Sequence, residues 1–302
     1  MSIETESRPE AKPTTPAKNN GRKKEEGGVL NAFSHGFLVL WSAMVILPVG
    51  WIVLNSFRES NDIKRSPLSL PNPADLKWEN FLNAWTDANI GQFFFNTTVV
   101  MLMSVTGTML FGAMAAYVLA RYEFPTNRVF FTMFVAGMMF PVFLALFPLY
   151  KTLDNVGLKD TYVGLALVYI AYSMPFTVFF LHSFFRTLPT GVAEAAMIDG
   201  AGHYRLFFQV MMPMAKPGLI SITIFNIIGQ WNQFILPLVL MGRSPDKQVI
   251  SVGLSELTGT AGKQVDTGLL FAAMTLAMLP VLIAYILFQR QIQAGMTAGA
   301  LK

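Results

Sequence analysis

The sequence predicts an all-α polytopic membrane protein with six transmembrane helices, and three observations carry that reading. First, the 302 residues are 53% hydrophobic and only 13% charged, with a mean hydropathy of +0.47. A soluble domain carries about 25% charged residues. Second, six stretches reach the length of about 20 apolar residues needed to cross about 30 Å of hydrocarbon. They are Phe33–Leu54, Phe93–Ala120, Val129–Leu149, Tyr162–His182, Leu219–Met241 and Gly268–Phe288. Third, all 22 Lys/Arg and all 18 Asp/Glu fall outside these stretches. That partition is expected where an unpaired charge in the membrane costs about 2.5–3.5 kcal/mol or more.

The composition argues against a soluble enzyme, a disordered chain or a nucleic-acid module, and no nucleic-acid partner is expected. The pI of about 9.2 reads instead as basic residues that set membrane topology. The chain has no cysteine, which excludes disulfides and Cys-ligated metals. Its three histidines, His35, His182 and His203, are too scattered to suggest a metal site.

Residues 1–28 are polar, rich in Pro, Lys, Glu and Asn, and read as a disordered tail. Arg22, Lys23 and Lys24 then precede the first span. With the N-terminus inside, the inside segments carry 13 Lys/Arg and the outside loops 9. That bias places both termini in the cytoplasm. The first span exceeds a signal-peptide core and no small-x-small site follows it, so it reads as an anchor.

Residues 29–92 comprise that span and an external loop. The loop carries Pro67, Pro71 and Pro73, then Trp78 to Trp85, and reads as part extended and part short helix. Residues 93–288 form the membrane core, and 289–302 a C-terminal cytoplasmic tail. No clear internal repeat is visible, which disfavours repeat-built secondary transporters. Prolines fall in five spans: Pro48, Pro141 with Pro148, Pro175, Pro237 and Pro280. Each tends to kink its helix, as happens in transport bundles and in static membrane helices alike.

Span two carries Asn96, Thr97, Thr98, Ser104 and Thr106, read as interhelical hydrogen-bonding groups. Span five is more unusual, with Ser221, Thr223, Asn226, Gln230, Trp231, Asn232 and Gln233. Asn226, Gln230 and Gln233 are spaced i, i+4, i+7 and share one helix face. Amides facing lipid are unpaired and costly, so that face looks into protein or water. It is either the wall of a hydroxyl-binding pathway or interhelical glue.

The inside loop at 183–218 is not a plain connector. Pro189 breaks the preceding helix, Thr190 is a candidate N-cap, and Val192–Ile198 is a short alanine-based helix. Gly200 and Gly202 interrupt it. His203–Met211 forms a second helix with Leu206, Phe207 and Val210 on one stripe, ended by Pro213 and Pro217. The hairpin suits docking into a partner's groove or lying as an amphipathic element at the membrane interface.

Glu194-Ala195-Ala196, then Gly200, then Val210-x-Met212-Pro213 resembles the EAA motif of ABC importer permeases, with Val210 and Met212 where the family has Ile and Leu. Asn96-Thr97, Asn155-x-Gly157-Leu158-x-Asp160-Thr161, Lys216-Pro217, Trp231-Asn232 and the terminal Thr297 to Lys302 agree with it. Together they resemble the MalG-type permease of carbohydrate uptake, over about Phe33 to Lys302. Residues 1–28 depart from the pattern.

The resemblance implies a type I ABC importer permease fold in a bacterial inner membrane, surrounded by lipid. It implies a second, paralogous permease subunit, an ATPase dimer and an extracytoplasmic solute-binding protein. The hairpin becomes the coupling helix seated in the ATPase, with Glu194 as the polar contact and Gly200 as the turn. Ala195, Ala196, Asp199 and Pro213 complete the coupling set. ATP and Mg belong to the partner ATPase. This chain has no phosphate-binding G-x-x-x-x-G-K-[ST] motif, and the resemblance implies no catalytic residue, metal or cofactor of its own. The pathway candidates are Asn226, Gln230, Trp231, Asn232 and Gln233. The stretch from Asn155 to Pro189 looks most like members that import N-acetylglucosamine or chitobiose. Rival readings are a permease of the same class for another solute, an ion-coupled carrier and a membrane enzyme. No span holds a carboxylate for a proton relay, and Asp199 and His203 lack a motif partner for catalysis.

Overall fold

The computed structural model describes residues 23–242, 244–259 and 266–300, and every helix and turn in them belongs to an α-helical architecture without strands among the described residues. The chain divides into two units, Met1–Trp51 and Ile52–Lys302.

Helix α1 (Lys23–Asn55) supplies the described part of the first unit. Residues 23–28, expected as disordered tail, are helical; the rest of that tail, 1–22, lies outside the described residues. Lys23 to Glu26 are good helix formers, and a nucleated helix propagates upstream at little cost. The apolar side chains from Phe33 to Leu47 are exposed.

In the second unit, α2 (Ser60–Arg65) and α3 (Glu79–Thr86) are joined by an irregular segment. Buried Arg58 ties it down. Its Nη1 donates to Asn55 Oδ1 at 2.8 Å, and its Nη2 to the carbonyls of Asp62 and Ser66 at 3.0 Å each and to Ser69 Oγ at 2.6 Å. The expected mixture of extended chain and short helix is what forms. The arginine clamp left no sequence signal.

Helices α4 (Ile90–Arg121) and α7 (Tyr162–Thr187) make the most extensive pair in the bundle. Gly107 and Gly112 allow the approach, because a Cβ on them meets Ile170 and Thr177 at 2.4 and 2.7 Å. Of the second-span polar groups, Asn96, Thr97 and Ser104 bond to other elements, whereas Thr98 donates back to the carbonyl of Phe94 in its own helix and Thr106 is exposed. Asn96 donates to the carbonyls of Asp246 and Gln248 at 2.9 and 2.8 Å, and Thr97 Oγ1 accepts from Ile250 N–H at 2.8 Å.

Two expected spans are broken. Val129–Leu149 becomes α5 (Asn127–Met138) and α6 (Val142–Asn155), which meet at 101°. Pro141 does not kink a continuous helix; it stands in the break, at φ −64° and ψ 120°, as the residue before α6. Its ring disfavours helical geometry at the preceding residue, and it has no N–H to continue a ladder. Among the described residues four helices, α1, α4, α7 and α14 (Thr267–Ala300), are long and apolar enough to cross a membrane, and there are up to six spans if the bent pairs Asn127–Met138 with Val142–Asn155 and His203–Met214 with Lys216–Trp231 each count as one. The expected tail 289–302 is helical through Ala300, with the last two residues outside the described ones.

Candidate functional site: the α8 loop and the polar cleft

The loop begins at Leu188, whose carbonyl accepts a 2.6 Å hydrogen bond from Arg121 Nη2 at the end of α4. Pro189, at φ −64° and ψ 132°, is the residue before α8 (Thr190–Ile198). The expected cap at Thr190 does not form. Thr190 is already helical and no side chain caps the turn. Extended backbone at the cap position is supplied by the proline's own fixed φ.

Helix α8 ends as a six-residue C-terminal lock. Ala201 N–H binds the carbonyl of Ala196 at 2.9 Å, and Gly200 N–H that of Met197 at 3.0 Å. This is the Schellman arrangement, which requires a left-handed residue at its turn. Gly200 supplies it at φ +82°. Gly202 corrects the expectation. Its φ of −71° and ψ of 167° are open to any residue, and nothing lies within 4 Å of the position of an added Cβ.

From Gly202 the chain runs through α9 (His203–Arg205), a π-helical stretch Leu206–Met211 and α10 (Met212–Met214). Leu206, Phe207 and Met211 are buried in a cluster with Tyr117, Val178, Leu181 and Phe185, with Val210 packed at its edge. The stripe forms as expected, but Pro213 and Pro217 do not end this helix. Pro213 lies in the first turn of α10, and Pro217 in the first turn of α11 (Lys216–Trp231). First-turn N–H groups have no intrahelical partner to lose, so proline is tolerated there. The chain bends by 78° between them, at Ala215.

Of the coupling candidates, Glu194, Ala195, Asp199, Gly200 and Pro213 are exposed, and Ala196 is half-buried against the cluster. Beside them Ile198 is 86% exposed and Tyr204 79%. The result is an apolar, small-residue knob with Glu194 at the middle of α8 and Asp199 just past its C-terminal end, anchored from behind.

The polar face of the fifth expected span divides in two, because α11 stops at Trp231 and α12 (Ile235–Leu240) starts after a turn. Asn226 and Gln230 are buried and partnered. Asn226 Nδ2 donates to Thr177 Oγ1 and to the carbonyl of Ile222, both at 3.0 Å. Gln230 Oε1 accepts from Ser104 Oγ at 2.5 Å, and its Nε2 donates to Ser173 Oγ at 3.2 Å. Gln233 lies past the helix end, so the i+7 register with Asn226 is not kept. Trp231 faces elsewhere: its Nε1 donates to the carbonyl of Ala277 on α14 at 3.1 Å. Asn232 is exposed and donates back to the carbonyl of Ile228 at 2.8 Å.

Asn226, Gln230 and Gln233 nevertheless line one cleft of about 240 Å³ between α7 and α11. Its opposite wall is aromatic, from Tyr169, Tyr172 and Phe176. These residues read as ordinary apolar span in the sequence; only the facing amides hinted at a polar cavity. A longer element, α13 (Ile250–Gly259), was also not expected; it packs on α4 through Gly253 against Phe93. Among the described residues no three His, Asp or Glu side chains stand close enough to hold a metal ion.

The sequence model of the binding-protein-dependent transport system inner membrane components matches residues 108–298, more than half of the chain. The chain is 48% identical over 271 residues to the diacetylchitobiose uptake system permease protein NgcG of Streptomyces coelicolor, covering 90% of this chain and 89% of that one. It is 32% identical over 259 residues to the trehalose transport system permease protein SugB of Mycobacterium tuberculosis, covering 85% and 92%. A chain in the crystal structure of a bacterial ABC transporter involved in the import of the acidic polysaccharide alginate has the same fold. The TM-score is 0.78 at 22% identity, over 91% of this chain and 99% of that one.

Proposed function

Because the chain belongs to the binding-protein-dependent transport system inner membrane components, we propose that it is the permease subunit of an ATP-driven importer of a short N-acetylated sugar such as diacetylchitobiose. It is a multi-pass membrane protein and a transport subunit, not an enzyme. The observation that carries the sugar reading is the 48% identity to a diacetylchitobiose uptake permease over nearly the whole of both chains.

In this reading the chain supplies half of the pathway beside a second permease. An extracytoplasmic binding protein delivers the sugar, and a separate ATPase dimer binds ATP and Mg and hydrolyses the nucleotide. Both termini and the loop around α8 lie on the cytoplasmic side. The knob of Ala195, Ile198 and Tyr204 with Glu194 and Asp199 beside it seats in the ATPase. Closure of the ATPase dimer moves α8 as a rigid body. The Arg121–Leu188 bond, the buried π-helical stretch and the bend at Ala215 pass that motion to α4 and α11. A rigid-body switch of this kind needs packed, discrete contacts rather than a flexible tether.

The test is reconstitution of the whole complex in proteoliposomes with its binding protein. Diacetylchitobiose should stimulate ATP hydrolysis and accumulate inside. Stimulation by a chemically unrelated solute and none by N-acetylated or other sugars would overturn the substrate class.

A further inference from the structure

The cleft between α7 and α11 holds one polar group that the fold does not use. Tyr169 is 3% exposed and lines the cleft, and its hydroxyl has no hydrogen-bond partner among the described residues. Buried phenols nearly always find a partner. A hydroxyl left without one beside a cavity is matched to something the cavity receives. Tyr172, one helical step further along, is 53% exposed and presents an aromatic ring at the mouth. Phe176 and Phe225 continue the aromatic wall, and Ser173, Gln230 and Gln233 contribute hydroxyl and amide groups.

From this geometry we propose that the cleft is a subsite for one neutral sugar ring, with Tyr172 as the stacking platform and the Tyr169 hydroxyl as a hydrogen-bonding contact. The proposal rests on the sugar-importer reading and adds to it where, in this chain, a ring is held. Three features fit a ring. An aromatic face receives the apolar face of a pyranose, while hydroxyl and amide groups at the rim exchange hydrogen bonds with its hydroxyls; pockets for small ligands combine these two linings. The cleft's volume of about 240 Å³ far exceeds the roughly 10–15 Å³ that one water needs, which leaves room for a sugar ring. No Lys, Arg, Asp or Glu lines the cleft. A charged sugar acid therefore finds no counter-ion there and pays for losing its water, so the subsite selects neutral rings.

The test uses the complete transporter with its binding protein in proteoliposomes and labelled diacetylchitobiose as the probe. Tyr169→Phe should lower the uptake rate about fivefold, the effect of one hydrogen bond, with unchanged thermal stability because the hydroxyl has no internal partner to lose. Tyr172→Leu should lower uptake about tenfold while Tyr172→Phe keeps most of it, since stacking needs the ring and not its hydroxyl. Sugar should slow thiol labelling of Tyr172→Cys, in a chain with no other cysteine. Wild-type uptake in both Tyr169→Phe and Tyr172→Leu overturns the subsite and leaves the importer reading standing. Absence of sugar uptake in the wild-type complex, with another solute carried instead, overturns the importer reading and the subsite with it. Equal loss in Tyr172→Phe and Tyr172→Leu, with lowered stability, makes the residue a packing element and also overturns the subsite.

Discussion

The guanidinium of Arg121 reaches from the last turn of α4 to the carbonyl of Leu188, 2.6 Å away and 67 residues along the chain. It binds the end of a membrane helix to the first residue of the loop that carries α8. Leu188 cannot accept within α7, whose last turn leaves its carbonyls unpaired. Arg121→Met should therefore fold and insert, at a cost of about 1.5–3 kcal/mol for a charge-assisted bond, reduced by partial exposure. Its larger effect should be on coupling. Sugar carried per ATP hydrolysed should fall in proteoliposomes, with ATPase activity retained. An unchanged ratio would show that the strap does not transmit motion.

Two glycines two residues apart make opposite predictions. Gly200 sits at φ +82° and Gly202 at φ −71°, and both have open space around them. Backbone conformation is thus the sole difference. Gly200→Ala should destabilise the turn by about 1 kcal/mol, and Gly200→Pro more severely, because proline fixes φ near −65°. Gly202→Ala should be neutral or slightly stabilising. Transport assays on matched membrane amounts decide it; equal effects at the two positions would contradict the Schellman turn.

How much of this was legible follows from which forces act locally. Apolar length is a local property, so Phe93–Ala120 and Tyr162–His182 emerge as α4 and α7 nearly as read. The hairpin was legible because Gly200 and the Ala-rich run are local turn and helix chemistry. The breaks at Pro141 and at Asn232 were not, since hydropathy averages over a window and does not register a 101° bend inside it. Helix α13 was hidden because its support comes from far away, with Thr97 binding the backbone of Ile250 across 153 residues. Arg58 was invisible for the same reason: an arginine in a loop defaults to solvent, and burial among carbonyls is a tertiary event. The face of Asn226 and Gln230 was read correctly as turned from lipid. Its aromatic counterpart on α7 was not, because Tyr and Phe in a span look the same whether they face lipid or a cleft.

Glu194 is exposed on α8 and forms no ion pair among the described residues. Charge reversal at such a site should leave stability within about 0.5 kcal/mol. Glu194→Lys should insert normally and yet lose the ATPase subunit on purification, because a like or unpaired charge in a desolvated interface costs several kcal/mol. Restoration by Glu194→Gln is expected to be partial, since the amide keeps the shape and lacks the charge. Full uptake and full ATPase recovery in Glu194→Lys would remove the residue from the interface.

The last prediction separates bracing from transport on the polar face. Gln230 joins three helices: it accepts from Ser104 on α4 at 2.5 Å and donates to Ser173 on α7 at 3.2 Å. Replacement by leucine removes both bonds and strands the Ser173 hydroxyl, while Ser104 keeps its bond to the carbonyl of Val100 at 2.8 Å. Interhelical bonds in membranes contribute about 0.6 kcal/mol on average and up to about 1.7, so Gln230→Leu should cost about 1–3 kcal/mol of stability by the same measure. Gln233 lies beyond the helix and lines the same cleft. Gln233→Leu should leave the melting temperature in detergent nearly unchanged and lower sugar uptake. The two effects are therefore expected to cross: stability falls with Gln230 and transport with Gln233. If Gln230→Leu melts like wild type while uptake collapses, Gln230 is a pathway residue and its bonds to Ser104 and Ser173 are incidental to the fold. If Gln233→Leu transports normally, the amide at that position has no part in carrying the sugar.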